Sequence, residues 1–327
     1  MKNIFNYKIR ALILLAFVFI NACNHTPDKP GKEIPVIGFI DYVQDATLQK
    51  AKNGFMDALG ANGFSESKKT ISVIYKNAQG DQPTLLQAVD LLISKKPILI
   101  ATNTTLATVN TVQRTKEIPV FMMVSPRPDI AKLTDTNGKA PANLFGVYET
   151  LDYIDTSVSL IHTLFPNAKT VGTIYSQSES QSVDALNKLK AGCVRLGIEL
   201  KALPVTNSSE TQLVTQSLLN KGVDVFFALP DNVIFASFET VASSCKEKHI
   251  PIITSEAGLV SRGALASYGA DFYQWGYQSG LQAAKFLQTK NTQELKPEIV
   301  LLRKRVFNPA VAATFNCKPD TSFTPVN

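Results

Sequence analysis

The chain reads as an α/β protein made of two doubly wound parallel-sheet domains joined by a hinge, and three observations predict it. Short apolar runs alternate with stretches whose apolar residues recur at helical spacing, as expected of strands buried on both faces and linked by crossover helices. The pattern restarts midway: Val171-Gly172-Thr173-Ile174-Tyr175 echoes Ile37-Gly38-Phe39-Ile40, and Ile250-Pro251-Ile252-Ile253 repeats the pattern of Ile118-Pro119-Val120-Phe121 132 positions on. With 327 residues, 45% of them hydrophobic, the chain has the length and apolar content for two such domains.

In order, the first half places a strand at 36–40 and a helix through Leu48, Ala51, Phe55, Ala58 and Leu59. It continues with a strand at 71–74, a helix at 84–93, a strand at 97–101, a helix at 105–112 and a strand at 118–123. The second half runs strand 171–175, helix 183–196, strand 200–205, helix 213–219, strand 223–229, helix 233–245 and strand 250–253. Strands joined by helices must pair in parallel through right-handed crossovers, and the strand order 2-1-3-4-5 is expected in the second domain. That order puts Cys193 and Cys245 on opposite faces of the sheet, too far apart for a disulfide. A helix at 272–287 follows, and crossings between the domains are expected near Val147-Tyr148-Glu149, Ser267-Tyr268-Gly269 and residues 302–306. The expected division is 34–147 with about 270–297, then 148–269 with about 298–312, and a tail at 313–327.

The N-terminus reads as an export signal. Residues 11–20 are uninterruptedly apolar behind Lys2, Lys8 and Arg10, a run short of the roughly 20 residues of a permanent span. It leads into Ile20-Asn21-Ala22-Cys23, with an aliphatic residue three before the cysteine and a small one just before it, the arrangement of a bacterial lipoprotein signal. Signal peptide 1–22, lipidation at Cys23 and a tether to residue 33 follow, so the body is expected outside the cytoplasm on a membrane anchor. A simple export signal with an incidental cysteine, or a retained anchor, are the alternatives.

Losing residues 1–22, with three basic residues and no acid, lowers the net charge from +6 to +3. So small and scattered an excess argues against nucleic acid as a partner. Cys23, Cys193, Cys245 and Cys317 have no metal-like spacing, and His25, His162 and His249 fall in the tether or on and just after helices. There is no Gly-x-Ser-x-Gly elbow, no phosphate loop and no Gly-x-Gly-x-x-Gly after a strand. The expectation is therefore a binding protein with no catalytic residues, metal or cofactor.

Doubly wound sheets bind ligands beyond the carboxyl ends of their strands. In the first half those ends are Asp41-Tyr42, Thr102-Asn103-Thr104-Thr105 and Ser125; in the second they are Tyr175-Ser176, Asp231-Asn232 and Ser255-Glu256. Facing each other, they predict an interdomain cleft lined by short polar groups and tyrosines.

Three segments carry a family resemblance: Asn77-Ala78-Gln79-Gly80-Asp81 before a leucine-rich helix, Pro230-Asp231-Asn232 after a hydrophobic strand, and Gly263-Ala264-Leu265-Ala266 followed by Tyr268, Gly269, Asp271 and Tyr273. In this order the chain, from about residue 34 to 308, resembles the substrate-binding proteins of ABC importers associated with tryptophan or tyrosine uptake, a type I periplasmic-binding-protein fold. Thr104, Glu179, Ser182, Asp231 and Asn232 match that family's positions. Asn103 and Thr105 replace its Gly and Pro, Ser176 and Gln181 replace Asn, Pro230 stands where Thr is usual, and Ser125-Pro126-Arg127-Pro128 departs from its Thr-Asp-Pro-Val. The resemblance implies an amino-acid ligand, an ABC permease with its ATPase as partner, a monomer, and a helix at 272–287 returning to the first domain.

A free amino acid brings a carboxylate and an ammonium that both need partners once water is excluded. Thr104 and Thr105 open a helix whose free N–H groups suit the carboxylate, and Asp231 suits the ammonium. Asp231 or Asn232 serves equally as the cap of the next helix. Tyr42, Tyr148 and Tyr268 are candidates for an aromatic wall or for edge packing. Glu179 and Ser182 are ligand contacts or first-turn residues, and Ser176, Asn103, Ser125 and Glu256 complete the candidate set. A ligand-sensing lipoprotein feeding a signalling receptor has the same cleft. Ligand-driven domain closure is expected in either case.

Overall fold

Near-continuous apolar strands need cover on both faces, and this chain supplies it with two helix-covered sheets. The computed structural model describes residues 34–326, so the signal, Cys23 and the tether lie outside the described residues. The first sheet holds β1 (Val36–Asp41), β2 (Ser72–Asn77), β3 (Leu99–Asn103), β4 (Val120–Pro126), β5 (Leu144–Glu149) and a late strand, β11 (Glu298–Ile299). Its order is β11-β5-β4-β3-β1-β2 with every pair parallel. Helices α1 (Ala46–Ala61), α2 (Gln82–Ser94) and α3 (Thr105–Arg114) link its first four strands.

The second sheet holds β6 (Thr170–Ser176), β7 (Glu199–Val205), β8 (Val225–Ala228), β9 (Ile252–Thr254) and β10 (Ala266–Ala270). β12 (Arg303–Phe307) adds to β10 antiparallel, and β13 (Thr324–Pro325) forms the edge. The order β13-β12-β10-β9-β8-β6-β7 contains the expected 2-1-3-4-5 core. Helices α4 (Tyr153–Leu164), α5 (Ser180–Leu196), α6 (Thr211–Leu219), α7 (Asn232–Ala236), α8 (Phe238–Glu247) and α9 (Ala257–Val260) belong to this lobe, and α11 (Pro309–Thr314) follows β12. Cys193, Cys245 and Cys317 are free thiols.

The helix after β10, α10 (Phe272–Thr289), goes back to the first lobe and lies along α1. The two backbones touch: a Cβ at Gly276 would sit 1.8 Å from the Ala51 carbonyl oxygen, and one at Gly54 2.0 Å from that of Tyr273. Trp275 Nε1 donates to the Val147 carbonyl at 2.8 Å and Ser279 Oγ to that of Met122 at 2.9 Å, tying α10 to the first sheet.

Several expectations shift. The helix expected at 233–245 is two: Ser237 leaves helical geometry at φ −127°, and its hydroxyl donates to the Val233 carbonyl four residues back. Residues 148–149 and 298–299, expected in the second domain, pair with each other's strands in the first sheet, so the chain crosses last at 300–302. The tail contributes β13, with the Val326 N–H bonded to the Phe307 carbonyl. Asn77-Ala78-Gln79-Gly80-Asp81 is a strand end and turn in which Asp81 caps α2 through the Thr84 N–H.

Candidate ligand-binding cavity

The carboxyl ends of the two sheets meet at a small, partly open cavity of about 30 Å³. Its first-lobe wall is Thr104, Thr105, Val124, Ser125, Pro126 and Glu149; from the second come Leu151, Tyr153, Gln181, Pro230, Asn232, Phe235 and Glu256, and α10 adds Phe272 and Trp275.

One end is built of unmade hydrogen bonds. Thr104 precedes α3 without a side-chain cap, and its buried Oγ1 has no partner. An uncapped helix start presents free N–H groups and the positive end of the helix dipole, which favour an anion. Next to it, a bulge in β4 between Met122 and Ser125 leaves the Ser125 hydroxyl buried and unpartnered. Thr104 (φ 90°), Val124 (φ 50°) and Leu151 (φ 61°) all sit in the left-handed region and all line the cavity. Such positions cost roughly 1–3 kcal/mol each in a β-branched or bulky residue and concentrate at functional sites.

The carboxylates divide by partner. Glu149 is fully buried and bidentate with Arg303, at 2.7 and 3.0 Å. Among the described residues no cation pairs with Glu256: its Oε1 accepts from Tyr153 Oη at 2.8 Å and Ser255 Oγ at 3.1 Å, and its Oε2 is buried without a partner. Burial pushes its pKa up to about 8, the Tyr153 and Ser255 hydrogen bonds opposing and Glu149 adding to the rise. Gln181 presents a second unmet acceptor. Its Nε2 donates to Glu179, which leaves Oε1 buried and unpartnered at the cavity wall. Glu179 also accepts from Asn232 N and Nδ2, and burial, then the charge of Asp231, hold its pKa well above the usual range.

Of the sequence-derived candidates, Thr104, Thr105, Ser125, Asn232 and Glu256 line the cavity. Asp231 does not. Its Oδ1 caps α7 through Val233 N (2.8 Å) and Ile234 N (3.2 Å), and its Oδ2 takes Ser176 N (2.7 Å) and the Ser182 hydroxyl. Four donors use the carboxylate, so Asp231, Ser176 and Ser182 form one internal network, with Glu179 behind Gln181 and Asn232. Asn103 donates to the Leu48 carbonyl at 3.1 Å and is off the wall. The expected tyrosine wall lies elsewhere too. Tyr42 bonds the Gly80 carbonyl, Tyr148 packs against the Val112, Val120, Met122 and Leu144 cluster, and Tyr268 faces Arg305.

The aromatic wall is instead Tyr153, Phe235, Phe272 and Trp275, with Phe272 edge-on to Phe235 at 5.9 Å and 5.7 Å from Trp275. A signal existed in the sequence: Phe272 and the single Trp275 stand one turn apart at a helix start just beyond a strand.

Two sheets meeting at a cavity with an anion-favouring helix start, a carboxylate without a cation and an aromatic wall make an arrangement suited to holding a small solute. Residues 34–318 match the family described as ABC transporter substrate binding protein, and the chain belongs to it. A tyrosine-binding protein of Clostridioides difficile (strain R20291) is 33% identical over 275 residues, 84% of this chain and 79% of that protein. The crystal structure of an ABC domain in complex with L-Trp from Streptococcus pneumonia superposes with a TM-score of 0.80 at 26% identity, covering 88% of this chain and 97% of that one. The ligand-free, open structure of a substrate-binding protein with adhesive properties from Clostridium difficile gives 0.66 at 27% identity, with 90% and 99% covered. At matched identity and coverage, the lobes here superpose better on the tryptophan complex than on the open form. No helix among the described residues is long and apolar enough to cross a membrane.

Proposed function

We propose that the protein captures a free aromatic amino acid between its lobes and passes it to an ABC importer from a lipid anchor at Cys23, outside the cytoplasm. The observation that carries the reading is the pairing, in one cavity, of an uncapped helix start with a carboxylate that lacks a cation. The ligand carboxylate lies at the start of α3 with the Thr104 and Ser125 hydroxyls. The ammonium takes Glu256 Oε2, and the ring lies against Phe235, Phe272 and Trp275. Gln181 Oε1 accepts from a donor on the ring, an indole N–H or a phenol, because a buried acceptor left unmet penalises a ligand without one. The two sheets with their helices move as two bodies about the three crossings, and the ligand favours closure by touching both.

Native mass spectrometry of the purified protein, followed by calorimetric titration with L-tryptophan, L-tyrosine and L-phenylalanine, tests the reading. A co-purified or titrated aromatic amino acid supports it; saturable binding of a sugar in its place contradicts it. Loss of the protein from the membrane fraction in Cys23→Ser tests the anchor.

A further inference from the structure

We infer that Arg262 is a positioning residue for capture, a clasp that fastens the second lobe to the start of α1 in the closed arrangement. Asp45 spends one carboxylate oxygen capping α1, through Thr47 N at 2.7 Å and Leu48 N at 3.0 Å. Its other oxygen takes Arg262 Nη1, which also reaches Thr47 Oγ1 at 3.3 Å. On its own lobe Arg262 donates to the carbonyl of the cavity residue Phe235 at 2.8 Å and grips Glu239 with two bonds, at 2.8 and 2.9 Å. The side chains of Arg262 and Asp45 are only 13% and 1% exposed. One guanidinium thus joins the helix carrying an aromatic wall residue to the opposite lobe.

The contact suits reversible closure. When the lobes part, Arg262 keeps Glu239 and Asp45 keeps its capping role, so neither charge is stranded in an apolar interior. A separate observation marks the same seam. A Cβ on Gly258, two residues beyond Glu256, would lie 2.2 Å from Thr47 Cγ2, so α9 meets α1 with no space for a methyl group. Gly258 is helical with no positive φ, so alanine there is sterically excluded by the opposite lobe and by nothing in its own backbone.

The inference rests on the proposed capture of an aromatic amino acid, and its test separates the two. Asp45→Asn keeps the cap, Arg262→Met keeps the stem, and Gly258→Ala blocks the seam. Each is titrated with L-tryptophan and L-tyrosine in the otherwise native chain, with dissociation followed by stopped flow. Affinity is expected to fall about tenfold or more, mainly through faster dissociation, as for close charge pairs across interfaces. Asp45→Asn combined with Arg262→Met is expected to be no worse than the weaker single variant, and the ligand-free melting temperature to stay near native. Unchanged affinity, additive losses or a lowered ligand-free melting temperature in all three overturns the clasp while leaving the capture reading intact. If the native protein binds neither amino acid, the capture reading falls. The clasp then stands if small-angle scattering shows Gly258→Ala and Arg262→Met expanded relative to native, and falls if it does not.

Discussion

The helices that follow the third core strand of each sheet start in opposite ways. In the second lobe, α7 begins at Asp231, whose carboxylate accepts four hydrogen bonds and is wholly buried. In the first lobe, α3 begins at Thr104 with no cap, a strained backbone and an orphan hydroxyl. The difference teaches that residue type at a strand exit says less about ligand contact than unmet hydrogen-bonding capacity does. The acidic group with every lone pair used braces the lobe; the neutral one with nothing to bind faces the cavity. Glu256, the cavity carboxylate without a cation, extends the contrast within the second lobe itself.

The largest effect should come from Glu256→Gln. Removing one side of a desolvated charge pair costs about 2–5 kcal/mol, so calorimetry should show aromatic amino-acid affinity reduced roughly thirtyfold or more. The pH dependence should come next. Glu256, raised to about 8, and Asp41, raised to about 6, both chiefly by burial, bind more protons folded than unfolded. Their stability contribution is therefore full below the ordinary carboxylate range and is lost as pH climbs through about 6 and then about 8. The ligand-free melting temperature should fall over that window, with Glu256→Gln flattening its upper part. An ammonium ligand must displace the Glu256 proton, so affinity should rise by up to about tenfold per pH unit below pH 8, with proton release seen as a buffer-dependent binding enthalpy.

Asp231→Asn should act on stability instead. Its amide would turn N–H groups toward donors at Ser176 and Ser182, lowering stability by about 1–3 kcal/mol with affinity nearly unchanged. The smallest effect is Thr104→Gly, which relaxes the φ of 90° and should stabilise the ligand-free fold by up to about 1 kcal/mol while weakening binding. A rise in both would break the link between strain and site.

Much of the fold was legible because buried parallel strands leave a periodic mark: the runs around Ile37-Gly38-Phe39-Ile40 and Val171-Gly172-Thr173-Ile174 announced both sheets and their restart. The break at Ser237 was not, since the apolar spacing runs on through it while the backbone there turns to φ −127°. Strand ends led to Thr104, Thr105, Ser125, Asn232 and Glu256, which line the cavity. They led equally to Asp231 and the tyrosines, which lie off its wall, because the sequence does not reveal which polar groups the fold satisfies internally. Phe235, Phe272 and Trp275 were not among the candidates even though the return of the helix at 272–287 was expected, because the face each helix turns to the cavity is set by long-range packing rather than by a local pattern.

The central claim is that an ammonium sits on Glu256 rather than on Asp231. Titrating native protein, Glu256→Gln and Asp231→Asn with L-tryptophan and with indole-3-propionic acid, which lacks the ammonium, tests it most directly. The account predicts a strong preference for tryptophan in the native protein and in Asp231→Asn, and a collapsed preference in Glu256→Gln. A preference that survives in Glu256→Gln and collapses in Asp231→Asn would contradict it.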